Sequence, residues 1–203
     1  FKEAERLSRE ENRTFIHPFE GIQTSQGTSG VGLELMDDIK DLDAVVVSVG
    51  GGGLIGGVAA AVKNINPECQ VYGVEPVGAN SMFLSLKAGK PITLKRIETI
   101  ADSLAPPMTL PLSYSLCEKY VDKIVLLDDD EICAGMVLAL EEMKLALEPA
   151  AAATVAALVW PLRSKLKDKK SALVICGSNI DVETYKTLLL RGQKKLDKSR
   201  IKI

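Results

Sequence analysis

The chain is 203 residues long, 46% hydrophobic and 4% aromatic, and its 25 Lys and Arg against 27 Asp and Glu give 25 − 27 = −2. That much apolar surface can build a core, which excludes intrinsic disorder, and the slightly acidic balance with few aromatics argues against a nucleic-acid partner. No uncharged apolar run reaches the roughly 18 residues of a membrane span, and the charged start Phe1-Lys2-Glu3-Ala4-Glu5-Arg6 does not look like a signal peptide.

In chain order, the charged first residues are helix-like and nothing before Thr14 reads as a strand. Ala44-Val45-Val46-Val47-Ser48-Val49 predicts a buried strand, followed by four glycines and a helix over 54–64. Residues 70–75 predict a second strand. The stretch 87–115, with Pro91, Pro106, Pro107 and Pro111, reads as a long irregular excursion of the kind that carries function. Residues 123–127 predict a third strand. Asp128 with Glu131 three residues on is a capping-box pattern that opens a helix to about Leu147. Pro149 can start the next helix, running through Lys165 and kinked or split at Pro161. Residues 172–176 predict a fourth strand and 182–192 a last helix, with the basic residues Arg191, Lys194, Lys195, Lys198, Arg200 and Lys202 as a solvated end.

Strands alternating with helices predict an α/β fold: an open, mostly parallel twisted sheet with helices on both faces, truncated at the N-terminus so that the sheet lacks its first members. Cys69, Cys117, Cys133 and Cys176 show neither a CxxC pair nor metal-ligand spacing, which suits reduced thiols and a cytoplasmic location.

The strongest local signal for chemistry is Gly50-Gly51-Gly52-Gly53-Leu54-Ile55-Gly56-Gly57, set between a strand and a helix. Backbone without Cβ atoms can approach an anion closely, and the helix start offers unpaired N–H groups. A phosphate is the natural guest; a tight strand–helix turn is the plainer reading. No Lys-Ser/Thr follows, which argues against a nucleoside-triphosphate loop. Gly51-x-Gly53-x-x-Gly56 also matches the dinucleotide fingerprint, with Glu75 as the ribose-binding acid. From this region alone, a dinucleotide site and a phosphate cup for a smaller cofactor both stand.

Taken together, several motifs look like the pyridoxal-phosphate-dependent serine/threonine dehydratase family, of which serine racemase is a close relative. They are Gly50 to Gly57, His17-Pro18-Phe19, Ser25-Gln26-Gly27-Thr28, Val74-Glu75-Pro76, Thr99-Ile100-Ala101-Asp102, Glu148-Pro149-Ala150-Ala151-Ala152 and Cys176-Gly177-Ser178-Asn179-Ile180-Asp181. The resemblance implies a tryptophan-synthase-β-like fold. Residues 1–20 would end a smaller, mobile domain and return to the large one, and 21–203 would form the large cofactor-binding domain.

The resemblance further implies that Gly50, Gly51, Gly52, Gly53 and Leu54 hold the cofactor's phosphate, and that Cys176 faces the pyridine nitrogen. Cys176 alone would read as a small buried hydrophobe. Glu148 would lie near the ring, its plainer role being to stabilise a helix N-terminus. Ser103, where relatives often have Gly, would border the substrate. Glu75 and the carbonyl of Ala79 would face a divalent cation, although Ser81 replaces an acid there; by itself Glu75 reads as a solvated strand end. His17 reads as structural, and Ser178 and Asn179 as turn residues.

In that family a lysine forms the Schiff base with the cofactor, inside a Ser-Phe-Lys-x-Arg-Gly segment. Phe1-Lys2 is followed by Glu3-Ala4-Glu5 instead, so that lysine is expected upstream and the chain alone is expected to be inactive. The implied activity of the parent is loss of water from L-threonine or L-serine, giving a 2-oxo acid and ammonia, in a homo-oligomer acting on a small amino acid. The alternatives are serine racemase, an inactive truncated homologue, or a dinucleotide-binding protein.

Overall fold

In the computed structural model, which describes residues 2–199, the apolar runs become one parallel sheet. The chain enters through α1 (Lys2–Glu11) and α2 (Ile22–Asp38), then alternates β1 (Ala44–Ser48), α3 (Gly53–Ile65), β2 (Gln70–Pro76) and α4 (Ser81–Ala88). After an irregular stretch come α5 (Pro111–Tyr120), β3 (Lys123–Leu127), α6 (Asp129–Met143), α7 (Pro149–Val159), α8 (Arg163–Leu166), β4 (Ser171–Leu173) and α9 (Val182–Ser199). Phe1, Arg200 and Lys202 lie outside the described residues.

The strand order is β3-β2-β1-β4 and every pairing is parallel. All five residues of β1 are buried, because the sheet is covered on both faces. Ala44 and Val46 face α7 through Ala150, Ala153, Ala156 and Ala157. Val45, Val47 and Val49 face α3 through Ile55, Val58 and Val62. Helix α6 packs on the outer side of α7, and Leu188 of α9 joins the same cluster.

The capping box at Asp128 forms as expected: its carboxylate accepts the Glu131 N–H at 2.7 Å and Glu131 accepts the Asp128 N–H at 3.0 Å. The Ala-rich helix splits between Val159 and Arg163, around Pro161. Other boundaries move. The last helix runs to Ser199, seven residues past the expected end at Gly192. The expected strand 172–176 pairs only over Ser171–Leu173, because the chain then leaves the sheet and the Gly177 carbonyl accepts the Glu148 N–H. The irregular excursion ends at Leu110, since Pro111 sits in the first turn of α5, where a missing N–H costs nothing.

Helices α2, α4 and α5 are not legible in the sequence. α2 carries three glycines, two threonines and two serines over 17 residues, a poor helical composition. It is held by tertiary packing: a Cβ at Gly57 of α3 would run into Thr28, and Thr28 Oγ1 donates to the Gly53 carbonyl at 2.9 Å.

Glu75 corrects the expectation of a solvated strand end. It is fully buried, and its two carboxylate oxygens accept the N–H groups of Met82 (2.9 Å) and Phe83 (2.7 Å) in the first turn of α4. Burial pushes its carboxyl up to about 8, against the pull of those two donors. An acid raised in the folded state above its usual 4.5 binds a proton the unfolded chain has lost, so the stability it lends is present at low pH and fades as pH rises toward 8. Thermal melts between pH 5 and 8.5 are therefore expected to show stability falling by up to a few kcal/mol, at about 1.4 kcal/mol per pH unit. Glu75→Gln should flatten that slope; an unchanged slope would assign it to other groups.

Candidate active site

Strand β1, between β2 and β4, delivers the chain to the carboxyl end of the sheet, the place where open parallel sheets collect ligands. There Gly52 turns the chain with φ of +95°, and α3 begins at Gly53 without any side-chain cap. The first N–H groups of a helix have no intrahelical partner, and they carry its positive dipole end. The loop is closely backed. A Cβ at Gly51 would run into the Phe19 ring, and one at Gly53 would lie 2.6 Å from Phe19 Cα. The run is thus a cradle of bare backbone.

These glycines line one side of a cavity of about 710 Å³, within the range of small-molecule sites. All of the sequence-predicted candidates for cofactor and substrate meet there: Gly50 to Gly53, Leu54, Ser103, Glu148 and Cys176. Glu75 and Ala79 do not line this cavity.

Cys176 is exposed on the cavity wall, which corrects its reading as a buried hydrophobe. Desolvation, and then the charge of Glu148, push its thiol up, so the group is a neutral thiol at ordinary pH. Glu148 occupies the N-cap position of α7 yet makes no side-chain cap bond. Its carboxylate turns to the cavity, accepting Ser103 Oγ at 3.2 Å and the Asn179 N–H at 2.9 Å. The turn at Asn179 thus supplies a backbone donor to Glu148. His17 also reaches the cavity, and its Nδ1 accepts the N–H groups of Phe19 (3.3 Å) and Glu20 (3.1 Å), holding the segment that backs the glycines.

Two contributors escaped sequence reading. Ser48 donates to the Ala150 carbonyl at 2.6 Å, tying β1 to α7, and both residues line the cavity. The irregular stretch supplies an apolar wall of Leu104, Pro106, Pro107, Met108 and Leu110. Its prolines signalled a functional loop, but no sequence pattern says which way such side chains point.

A phosphorylated, planar cofactor fits this donor set, since uncapped backbone N–H groups and an uncharged thiol line the same cavity. A divalent cation does not fit at Glu75 and Ala79, because the one carboxylate present already accepts two N–H groups and Ser81 adds only a hydroxyl. Among the described residues no group of three or more His, Cys, Asp or Glu gathers as metal ligands. Nor, among them, is any helix long and apolar enough to cross a membrane.

The chain matches known proteins over most of its length. A family model described as "Pyridoxal-phosphate dependent enzyme" matches residues 1–177. Phenylserine dehydratase of Ralstonia pickettii is 45% identical over 185 residues, covering 91% of this chain and 57% of that protein. L-threonine ammonia-lyase of Thermotoga maritima is 38% identical, covering 96% of this chain and 48% of its own. The solved processed form of threonine deaminase isoform 2 from Solanum lycopersicum superposes with a TM-score of 0.88 at 32% identity, covering 94% of this chain and 56% of that one. The chain thus spans about half the length of the curated relatives it matches.

Proposed function

The chain belongs to the pyridoxal-phosphate-dependent enzyme family, and on that premise we propose that the whole protein removes water from an L-β-hydroxy-α-amino acid, threonine or serine, to yield a 2-oxo acid and ammonia. The observation that carries this reading is the meeting of the uncapped glycine cradle, Cys176 and the Glu148–Ser103 pair on one cavity. When bound, pyridoxal phosphate supplies the electron sink that lets the substrate's Cα release its proton and its Cβ its hydroxyl.

The chain's own residues do the rest. The N–H groups of Gly53 and Leu54, with the preceding glycine backbone, hold the phosphate against the positive end of α3. With the cofactor bound, the Cys176 thiol would be the group offered to the ring nitrogen and, being neutral, would leave it uncharged, which suits elimination better than reactions needing a deeper sink. Glu148, fixed by Ser103 and Asn179, offers a charged acceptor beside the ring. Ser103 borders the substrate with a hydroxyl. Residues 1–20 end a smaller mobile domain and return to the large one of 21–203, and the protein assembles as a homo-oligomer. The lysine that anchors the cofactor comes from a segment outside these 203 residues, since no lysine here has the Ser-Phe-Lys-x-Arg-Gly context.

The whole protein, loaded with cofactor and given L-threonine or L-serine, is expected to release ammonia and 2-oxo acid in equal amounts. D-serine in place of pyruvate would point to racemisation instead. Borohydride reduction and peptide mapping should mark one lysine outside this chain, whereas the 203-residue chain alone should show only scattered labelling and no turnover. One stoichiometric pyridoxyl-lysine within this chain, together with ammonia release, would overturn the lysine assignment.

A further inference from the structure

Consecutive glycines form the most flexible backbone a chain can build, so a phosphate cradle made of Gly50 to Gly53 binds well only if its neighbours hold it in shape. The neighbour here is Phe19. Its ring occupies the place where a side chain at Gly51 would stand, and its Cα and carbonyl oxygen lie 2.6 and 2.7 Å from the place of a Cβ at Gly53. Phe19 lies in the connection between α1 and α2, outside any helix or strand, so contacts beyond its own segment must fix it.

The adjoining Glu20 supplies them from the start of α5. That helix has Leu110 at its N-cap, makes no side-chain cap of its own there, and has Pro111, without an N–H, at its first position. The N–H groups of Leu112 and Ser113 have no intrahelical partner. They donate to the two carboxylate oxygens of Glu20 at 2.8 and 3.0 Å, from 92 and 93 residues further along the chain. The buried Ser113 hydroxyl lies 2.6 Å from the same carboxylate and 2.5 Å from the Phe19 carbonyl oxygen, so its proton joins the two. Ser113 Cβ also stands 3.3 Å from the place of a Cβ at Gly52. The two helix starts thus differ: that of α5 is closed by a carboxylate, while that of α3 is left without a side-chain cap.

We infer that Glu20 is a positioning residue for the cofactor's phosphate: anchored on the start of α5, it locks Phe19 against Gly51 and Gly53 and so presets the backbone that receives the phosphate. The inference rests on the phosphate-cradle reading above and deepens it. Glu20 does not line the cavity and acts through Phe19, which does. Without the carboxylate, Phe19 is released, and the glycines must be ordered at the moment of binding. That cost falls on the phosphate and not on the ring, because Cys176 follows β4, on a separate part of the chain.

The test uses the whole protein, stripped of cofactor and titrated in parallel with pyridoxal 5'-phosphate and with pyridoxal, which lacks the phosphate. Binding is read from the absorbance of the added compound, and the ratio of the two affinities reports the grip on the phosphate. Glu20→Gln offers one carbonyl oxygen to the two N–H groups and turns its own NH₂ toward the other. It is expected to lower the ratio about tenfold or more through weaker pyridoxal phosphate binding, with pyridoxal binding within about twofold of the unaltered protein. Ser113→Ala removes only the hydroxyl link to Phe19 and should lower the ratio in the same sense, by about threefold; it decides the matter should the Gln protein misfold. An unchanged ratio, or an equal loss for both compounds, overturns the inference and leaves the cradle reading standing. No preference for the phosphorylated compound in the unaltered protein overturns both.

Discussion

Gly52→Val is expected to strip the whole protein of its cofactor while the sheet still folds. The reason differs from simple blockage of the phosphate. A Cβ at Gly52 points away from the cavity, into Met82 Cε, with Ser113 Cβ at 3.3 Å and Cys117 Sγ at 3.4 Å. It must also adopt φ near +95°, which costs an L-residue roughly 1–2 kcal/mol and a β-branched one more. Overpacking against Met82 adds about 1–3 kcal/mol. The loop can relieve both only by shifting, and a shift of about 1 Å takes the first N–H groups of α3 off the phosphate. Cofactor stoichiometry after dialysis should fall to near zero, with far-UV circular dichroism retained. Gly52→Ala should lie between the two. Full stoichiometry in the valine protein, even with a lowered melting temperature, would reduce the glycine run to a packing turn.

Cys176→Asp should damage elimination at least a hundredfold, and Cys176→Ser by no more than about tenfold. Serine keeps a neutral hydrogen-bonding group of similar size. Aspartate would charge the ring nitrogen, and it would also stand beside Glu148, whose charge already raises the Cys176 thiol. Two carboxylates so close cannot both ionise freely. The two effects separate in a double variant: Glu148→Gln in the Cys176→Asp protein relieves the repulsion and leaves the charge on the ring. Activity regained there would assign the damage to Glu148. Equal turnover by the Ser and Asp single variants would mean that residue 176 does not face the ring.

The dinucleotide alternative shows where short-range pattern reading runs out. Gly51-x-Gly53-x-x-Gly56 fits both guests, and Glu75 stands at the distance of a ribose acid. Tertiary structure removes the second half of that signature, because Glu75 is buried and spends both oxygens on the first turn of α4. A carboxylate so engaged has no free face for a ribose.

The sequence by itself determined the α/β class, the strands β1, β2 and β3, the capping box at Asp128, the break near Pro161 and the glycine run between β1 and α3. These are local or periodic features: a buried parallel strand must be continuously apolar, and a helix start must satisfy its own N–H groups. Only the tertiary structure decided α2, whose Gly- and Ser-rich helix stands because Thr28 and Gly57 let it lie close on α3. It also decided the burial of Glu75, the turn of Glu148 away from its helix toward Ser103 and Asn179, and the direction of the Pro106–Met108 wall. Helix α2 and Glu148 depend on partners 25 to 45 residues away, and no periodicity within one segment encodes which distant backbone group a side chain will meet.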